Sequence, residues 1–548
     1  MASNMNVISI PCRGGLNLSS NNQELLGRPF EAIRLVNFEC SKEGGYRRIL
    51  GTQALGITTP DTGRVLGVRN YQGVLMAKNA SLYHSFDNTY WTQVNFNSTN
   101  VDEATMLAGT ELPRTGASRY MFESLLLNTK QYILMVDGVS NPGIFSVEGT
   151  SRATASYRYK EITEGAALVG AKYCTLVRNQ FIIAGMPANP SAFFYSSHAT
   201  TDLISPEDAD KEIPQENFNG ATAGFIGVGD IITGLAMQRD VLYVFCQSSI
   251  FKVTGLDTAS PTVSPVTRNI GCLDGFSIQE VGGDLLFLAP DGLRTVSKTE
   301  RIDDLELGVV SRNISKILDP RIRRQSEYEF NSTVIREKNQ YRLWFTDLSN
   351  VDAAQRGIIA SYTYDAVSKG FAWAFSELEG IGVTSVDNSY HVTKERIVHG
   401  NQAGEIQVQE TGATINGTRM FYMYQSPFSD FGDTSVRKAL RKVFIMTRPE
   451  GDVRIGLEVR YDYESSDVHQ PAMYPLEELT LPFTWGDLNT IWGDPLIRWG
   501  ARDIPDREVH TEGSGFVVSF RIKSLNEIDD YPFDIQSLQI DLTAGGKI

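Results

Sequence analysis

A chain of 548 residues exceeds the ~250–300 at which a single hydrophobic core stops growing, so at least two domains, or one repeat architecture with additions, are expected. With 41% hydrophobic and 21% charged residues, apolar surface is ample and a disordered chain is excluded. A formal charge of −15 excludes tight wrapping of nucleic acid, which needs clustered Lys and Arg, but leaves open a wall past which DNA slides.

The amino-terminal stretch MASNMNVISIPCRGG has no basic region followed by a long apolar run, and no stretch of the chain approaches 18 uninterrupted apolar residues. Neither a signal peptide nor a membrane span is expected. Residues 1–61 read as an arm with strands that pack on the body. Within it, Gly44-Gly45 before Tyr46-Arg47-Arg48 predicts a tight turn into a short strand, with both arginines making structural ion pairs rather than touching DNA.

From Arg64 the chain breaks into short runs rich in Val, Ile, Phe and Tyr between turn residues, which predicts an all-β fold. RVLGVR, GVLMAK, SLYHSF and WTQVNF, within residues 64–96, have the form of one propeller blade. Looser versions follow at Gln131, Gln180, Asp240, Asp284, Gln340 and Arg396. The equivalent positions Leu75, Ile133, Ile182, Leu242, Leu286, Leu343 and Ile397 are spaced by 58, 49, 60, 44, 57 and 54 residues. Propeller repeats run ~40–50 residues plus loop insertions. A β-propeller over residues 62–412 is therefore expected, with about seven blades and six to eight compatible with so degenerate a repeat. Ordinary β meanders are the alternative.

Gly224 to Asp230 (GFIGVGD) reads as turns, because its glycines lack dinucleotide-binding spacing and a strand follows where a helix should. Ser311 to Arg324 predicts a helix broken at Pro320, and the basic residues Arg321, Arg323 and Arg324 read as solvated surface, with a DNA or ring contact as the alternative. Residues 413–548 change rhythm. Period-two alternation from Arg441, Val453, Gly515 and Phe533 predicts a carboxyl-terminal antiparallel, sandwich-like β domain. Pro482 to Trp499 carries three of six tryptophans and reads as an anchored loop, with an interface hot spot as the sharper option.

Chemistry-bearing motifs are scarce. Cys12, Cys40, Cys174, Cys246 and Cys272 form no C-x-x-C pair, and four of them, in apolar strand-like surroundings, read as core residues, without disulfide or zinc. His84, His198, His391, His399, His469 and His510 show no metal-ligand spacing, and His391 and His399 read as surface residues flanking a turn. No serine elbow or phosphate-binding loop is present. A carboxylate pair for glycoside cleavage cannot be read from sequence, though the repeated Asp-box of sialidase propellers is missing. Asn97-Ser98-Thr99 is a formal sequon with no reading attached. The expectation is a non-enzyme with no catalytic, cofactor-binding or metal site, no cofactor, and unknown channel-lining residues.

Gly14 to Gly51, with Gly15-Leu16-Asn17, Asn37-Phe38 and Gly44-Gly45 leading through Arg47 and Arg48 to Gly51, resembles the opening of tail-tube or nozzle proteins and related DNA-stabilisation factors of short-tailed bacteriophages. RNQFIIAGMPANPSAFFYSS from Arg178, SSIFKVTG from Ser248, NIGCLDGFSIQEVGGDLLFLAPDGLRTVS from Asn269 and the ending LQIDLTAGGKI are similar to further elements of that group, with Lys547 where an arginine is common. The resemblance implies a propeller-containing structural subunit of the virion tail, made and assembled in the bacterial host cytoplasm. It implies a homo-oligomer, commonly a hexameric ring, that meets a tail adaptor ring and tail fibres or tail-tip proteins and lets viral DNA pass during ejection without tight binding. A tail protein that binds or cleaves host-surface glycans is the competing expectation.

Overall fold

The structure is a computed structural model that describes residues 6–41, 44–56, 63–70, 73–79, 81–86, 88, 90–94, 118–127, 130–148, 156–162, 168–197, 218, 223–256, 261–301, 308–348, 355–365, 370–391, 394–449, 453–476, 506–525 and 532–547. Among them strands dominate, arranged as a β-propeller joined to a carboxyl-terminal pair of sheets.

The first blade-like segment folds as read: Val65–Asn70, Val74–Lys78, Ser81–Ser85 and Thr92–Val94 form a four-stranded antiparallel sheet. The seven repeat positions, Leu75 through Ile397, each fall on the second strand of a successive sheet, and all are buried. Six of these sheets are separate among the described residues, giving a blade count of about six within the expected range. Leu343 lies among Tyr328–Ile335, Gln340–Asp347, Arg356–Asp365 and Gly370–Glu379, four strands that do not stand alone but continue into a nine-stranded sheet.

Strands in such a ring are buried on both faces, which explains runs of consecutive apolar residues. In Gln180–Met186, Phe181 and Ile183 pack against the preceding sheet with Leu134 and Ile144, while Ile182 and Ala184 pack against the following one with Leu242 and Val244. Equivalent clusters fill the other gaps, and Val65, Val68 and Met76 of the first sheet meet Val398 and Ile406 of the last, which closes the circle. Closure removes sheet edges that would otherwise be exposed.

The division expected at residues 61 and 412 is crossed by hydrogen-bonded strands. Thr52–Ala54 pairs with Ile406–Gln409 and so completes the last propeller sheet from the amino-terminal arm. Arg34–Val36 lies between Gly370–Glu379 of the propeller and Met423–Gln425 of the carboxyl-terminal region, fusing both into the nine-stranded sheet. Asn6–Pro11, Phe38–Cys40 and Tyr46–Arg48 enter a seven-stranded sheet built on Val436–Pro449 and Phe533–Lys547. The two large sheets enclose one core, in which Phe38, Tyr422 and Phe533 meet edge to face at 5.4–5.9 Å. The strands expected from Arg441, Val453, Gly515 and Phe533 are present as Val436–Pro449, Ile455–Tyr461, Val518–Ser524 and Phe533–Lys547.

Other expectations are corrected. GFIGVGD supplies a strand, Gly224–Gly227, which hydrogen-bonds to Ala192 through Tyr195 as an outer strand; main-chain pairing does not need side chains, and alternate residues face solvent. Ser315–Arg323 is a continuous α-helix that contains Pro320, preceded by a 3-10 turn, and is held by buried Ile314 and Leu318 rather than broken. The tryptophan-rich stretch 482–499 and the sequon at 97–99 lie outside the described residues.

Candidate functional site

The innermost strands of the ring face its axis, and this is where groups from distant sheets can meet. Arg119, just ahead of Met121–Leu127 in the second sheet, reaches across to the fifth and sixth. Its Nη1 donates to Asp274 Oδ2 at 3.2 Å, and its Nη2 donates to the Phe330 carbonyl and to Asn331 Oδ1, both at 2.6 Å. The guanidinium also lies over the Phe276 ring, 3.6 Å from its centroid. Asp274 is held in place by accepting from the Phe276 amide at 2.9 Å, and Asn331 by donating to the Val383 carbonyl at 3.2 Å. Charge-assisted bonds of this kind are short and directional. They tie the second sheet to the fifth and sixth across the ring.

A second group lies further along. Arg69 approaches Asp387 at 3.3 Å and Glu123 at 3.9 Å and donates to Ser124 Oγ at 2.7 Å, joining the first, second and last sheets. Asp387 also accepts from the Asn70 amide at 2.7 Å. Burial pushes the Glu123 carboxyl up, with Arg69 opposing. Burial also works against the Arg69 charge, but Asp387 and Glu123 outweigh it and raise the guanidinium's pKa.

The Arg119 bridge has a measurable consequence. Replacing Arg119 with Leu removes charged hydrogen bonds and leaves Asp274 and the Phe330 carbonyl without this donor, which should cost about 1.5–3 kcal/mol in urea unfolding. An unchanged urea midpoint would show that the ring is not held together there.

The residues singled out in the sequence fall elsewhere. His399, expected at the surface, is 1% exposed. It is the penultimate residue of Lys394–Gly400, at the far end of the strand from the turn after His391, its Nδ1 is 3.3 Å from Gln409 Nε2, and burial pulls its pKa down to about 3, so it is neutral at pH 7. His84 is also buried, while the side chain of His391 lies outside the described residues. Cys12, Cys174, Cys246 and Cys272 are buried and Cys40 is partly so, and all are reduced. Burial pushes the thiols of Cys12, Cys40, Cys246 and Cys272 up to about 12, which suits core residues rather than nucleophiles.

Arg47 pairs with Glu39 at 3.6 Å, as expected, whereas Arg48 donates to the Ala413 carbonyl at 2.6 Å and stacks over Tyr422. Arg321 donates to the Ile317 carbonyl and covers the Phe345 ring, and Arg324 pairs with Glu327 at 3.3 Å. Among the described residues no cluster of three or more His, Cys, Asp or Glu is placed to hold a metal, and no helix is long and apolar enough to cross a membrane. The axial arginines gave no sequence signal, because each is an isolated residue whose partners are remote in the chain.

No protein-family model matches this chain, and no curated protein matches it in sequence. Solved structures do. One is the AfRom2 CNH domain, 12% identical, covering 66% of this chain and 98% of its own, with a TM-score of 0.35. Another is a family 43 arabinoxylan arabinofuranohydrolase from Bacillus subtilis, 10% identical, covering 89% of this chain and 96% of its own, with a TM-score of 0.26. A third is an ancestral GH74 enzyme, 9% identical, covering 69% of this chain and 50% of its own, with a TM-score of 0.38. The expectation that this chain is not an enzyme is therefore withdrawn. Two of these structures are glycoside hydrolases, and carboxylate pairs assemble in space without a linear motif. At such identities the likeness concerns fold, and no activity is carried over.

Proposed function

We propose that the chain is a subunit of a bacteriophage tail nozzle, part of the channel through which DNA is ejected. The observation that supports this best is the course of the Gly14 to Gly51 segment, whose sequence resembles nozzle proteins. It places Arg34–Val36 in the nine-stranded sheet, then Phe38–Cys40 and Tyr46–Arg48 in the seven-stranded sheet, and leads directly into Thr52–Ala54 of the last propeller sheet, and so clasps the carboxyl-terminal region to the ring. A part placed under axial load benefits from strands that cross between its units.

In this reading about six copies close into a ring through heterologous contacts, below an adaptor ring and in contact with fibres or tip proteins. The duplex passes between subunits, because Arg119 bridges the second propeller sheet to the fifth and sixth across the ring. The overall charge of −15 discourages DNA from adhering to the wall. Reconstruction of phage particles carrying a tag on this chain is expected to show the tag on an axial ring with an opening of at least ~20 Å, as B-form dimensions require. A tag on peripheral fibres, or a ring without such an opening, would reject the proposal.

A second reading, a tail protein that binds or cleaves host-surface glycans, is favoured by exposed aromatic rings. Tyr364 and Phe371 are 60% and 63% exposed at the end of one hairpin, where Phe371 stacks on Tyr362 at 5.4 Å. Flat ring faces of this kind suit sugars as well as proteins.

A further inference from the structure

The hairpin made by Arg356–Asp365 and Gly370–Glu379 outruns its sheet. Pairing with Gln340–Asp347 stops at Ser361, and Tyr362 makes one last bond outward, its amide donating to the Asn339 carbonyl at 3.0 Å. Beyond it, among the described residues, Thr363 to Asp365 pair only with Gly370 to Ala372. A two-stranded ribbon of this kind is marginal in water by itself. Tyr362, Tyr364, Phe371 and Trp373 share one face of it, as alternation along paired strands requires. Phe371 meets Tyr364 edge to face at 5.7 Å, and Tyr362 lies 4.9 Å from Trp373. The two outer rings, Tyr364 and Phe371, remain exposed and make an apolar knob at the end of the ribbon.

The same chain carries a hole. Between the third and fourth propeller sheets lies a cavity of about 240 Å³. Val177, Val253 and Leu256, all buried, give it an apolar floor, while the exposed residues Arg239, Asp240 and Thr254 stand at its mouth. An apolar floor inside a polar rim is the form of pockets that receive anchor residues at protein interfaces. An apolar cavity of ~150 Å³ already holds benzene, so this one has room for a phenyl ring.

The geometry points to a head-to-tail contact between two copies of this chain, in which Phe371 of one enters the cavity of the next and Tyr364 covers the rim. Phe371 is the ring that enters because it has no hydroxyl to strand on an apolar floor. A second copy is the occupant because knob and hole stand on one chain: an exposed apolar patch that fits a pocket elsewhere on the same molecule makes a heterologous contact. The contact does not rest on the nozzle reading, although a closing ring could use it.

Sedimentation velocity of the full-length protein tests this. The parent should self-associate as its concentration rises to ~1 mM, where weak protein contacts are populated. Phe371→Ser removes the knob and Thr254→Trp fills the mouth of the hole, and each should weaken association about tenfold or more, as loss of an anchor does. Both positions are exposed, so both variants should melt with the parent. Each variant keeps the surface that the other lacks. An equimolar mixture should therefore form one-to-one complexes that neither forms alone, as a head-to-tail contact requires. A monomeric parent, full association in either variant, or a mixture no more associated than its parts overturns the inference. So does a parent that stays monomeric but binds chitohexaose or cellohexaose and loses that binding in Phe371→Ser, which would assign the rings to sugars. Particle imaging, which tests the nozzle, is unaffected by any of these results.

Discussion

Gly45→Val is expected to lower stability by about 3–5 kcal/mol or to abolish soluble expression, among the largest effects for a single substitution. Gly45 has φ of +100°, a conformation β-branched residues do not adopt without strain. A Cβ there would lie 2.7 Å from the Ile535 carbonyl oxygen, and that oxygen is main chain in the seven-stranded sheet and cannot swing aside. The strand it leads into, Tyr46–Arg48, carries Tyr46, whose buried hydroxyl donates to the Arg13 carbonyl at 2.6 Å and accepts from the Gly15 amide at 3.1 Å. Displacing the turn would therefore loosen the arm at several points. Gly44 is the control: its φ is +89°, but a Cβ there meets nothing within 4 Å, so Gly44→Ala should cost only about 1–2 kcal/mol from backbone strain. Denaturant unfolding of both variants checks the contrast. Equal losses would mean that the close approach to Ile535 is relieved by a shift of the turn.

That turn was legible because a Gly-Gly pair before a short apolar strand has few other uses. The propeller was legible for a related reason: strands buried on two faces require continuous apolar runs, and turns between them require Gly, Asn and Asp, so Leu75, Ile133 and their equivalents mark their own positions. Which strand joins which sheet was not legible. Thr52–Ala54 and Ile406–Gln409 are adjacent only because the ring closes, and nothing local in either segment names the other. The same blindness affects His399, a polar residue near a turn in sequence but in the buried end of its strand, and Gly224–Gly227, whose pairing rests on main-chain groups. The axial site shares it most fully, since Arg119 and Asn331 are 212 residues apart.

Arg342→Met should also cost about 3–5 kcal/mol, because it removes one member of a buried ionic cluster and leaves its partners behind. Arg342 is fully buried, and its Nη2 approaches Glu410 Oε1 at 2.5 Å and Glu39 Oε2 at 3.4 Å. Its remaining donors are satisfied by Gln340 Oε1 at 2.8 Å and Gln409 Oε1 at 3.2 Å. Lys338 bridges the same two carboxylates at 2.7 and 2.6 Å. Glu39 belongs to the amino-terminal arm, Arg342 and Lys338 to the nine-stranded sheet, and Glu410 to the end of the last propeller sheet, so the cluster fastens three units at one point.

Burial alone would raise the Glu410 carboxyl, yet Arg342 and Lys338 outweigh it and hold the pKa down to about 2, against an ordinary value of 4.5. A carboxyl whose folded-state pKa is depressed stabilises the fold fully above its unfolded value. Its contribution is lost as pH falls from about 4.5 through about 2. In Arg342→Met burial regains the upper hand, the carboxyl's pKa rises, and acid unfolding should begin at higher pH than in the parent. Adding Glu410→Gln removes the stranded charge, so the double variant should recover part of the loss and show less acid sensitivity than Arg342→Met alone. Urea midpoints at pH 7 and pH 4 for the parent, Arg342→Met, Glu410→Gln and the double variant measure both effects. Strict additivity of the two substitutions would show that Arg342 and Glu410 are not coupled, and the ionic clasp would have to be abandoned.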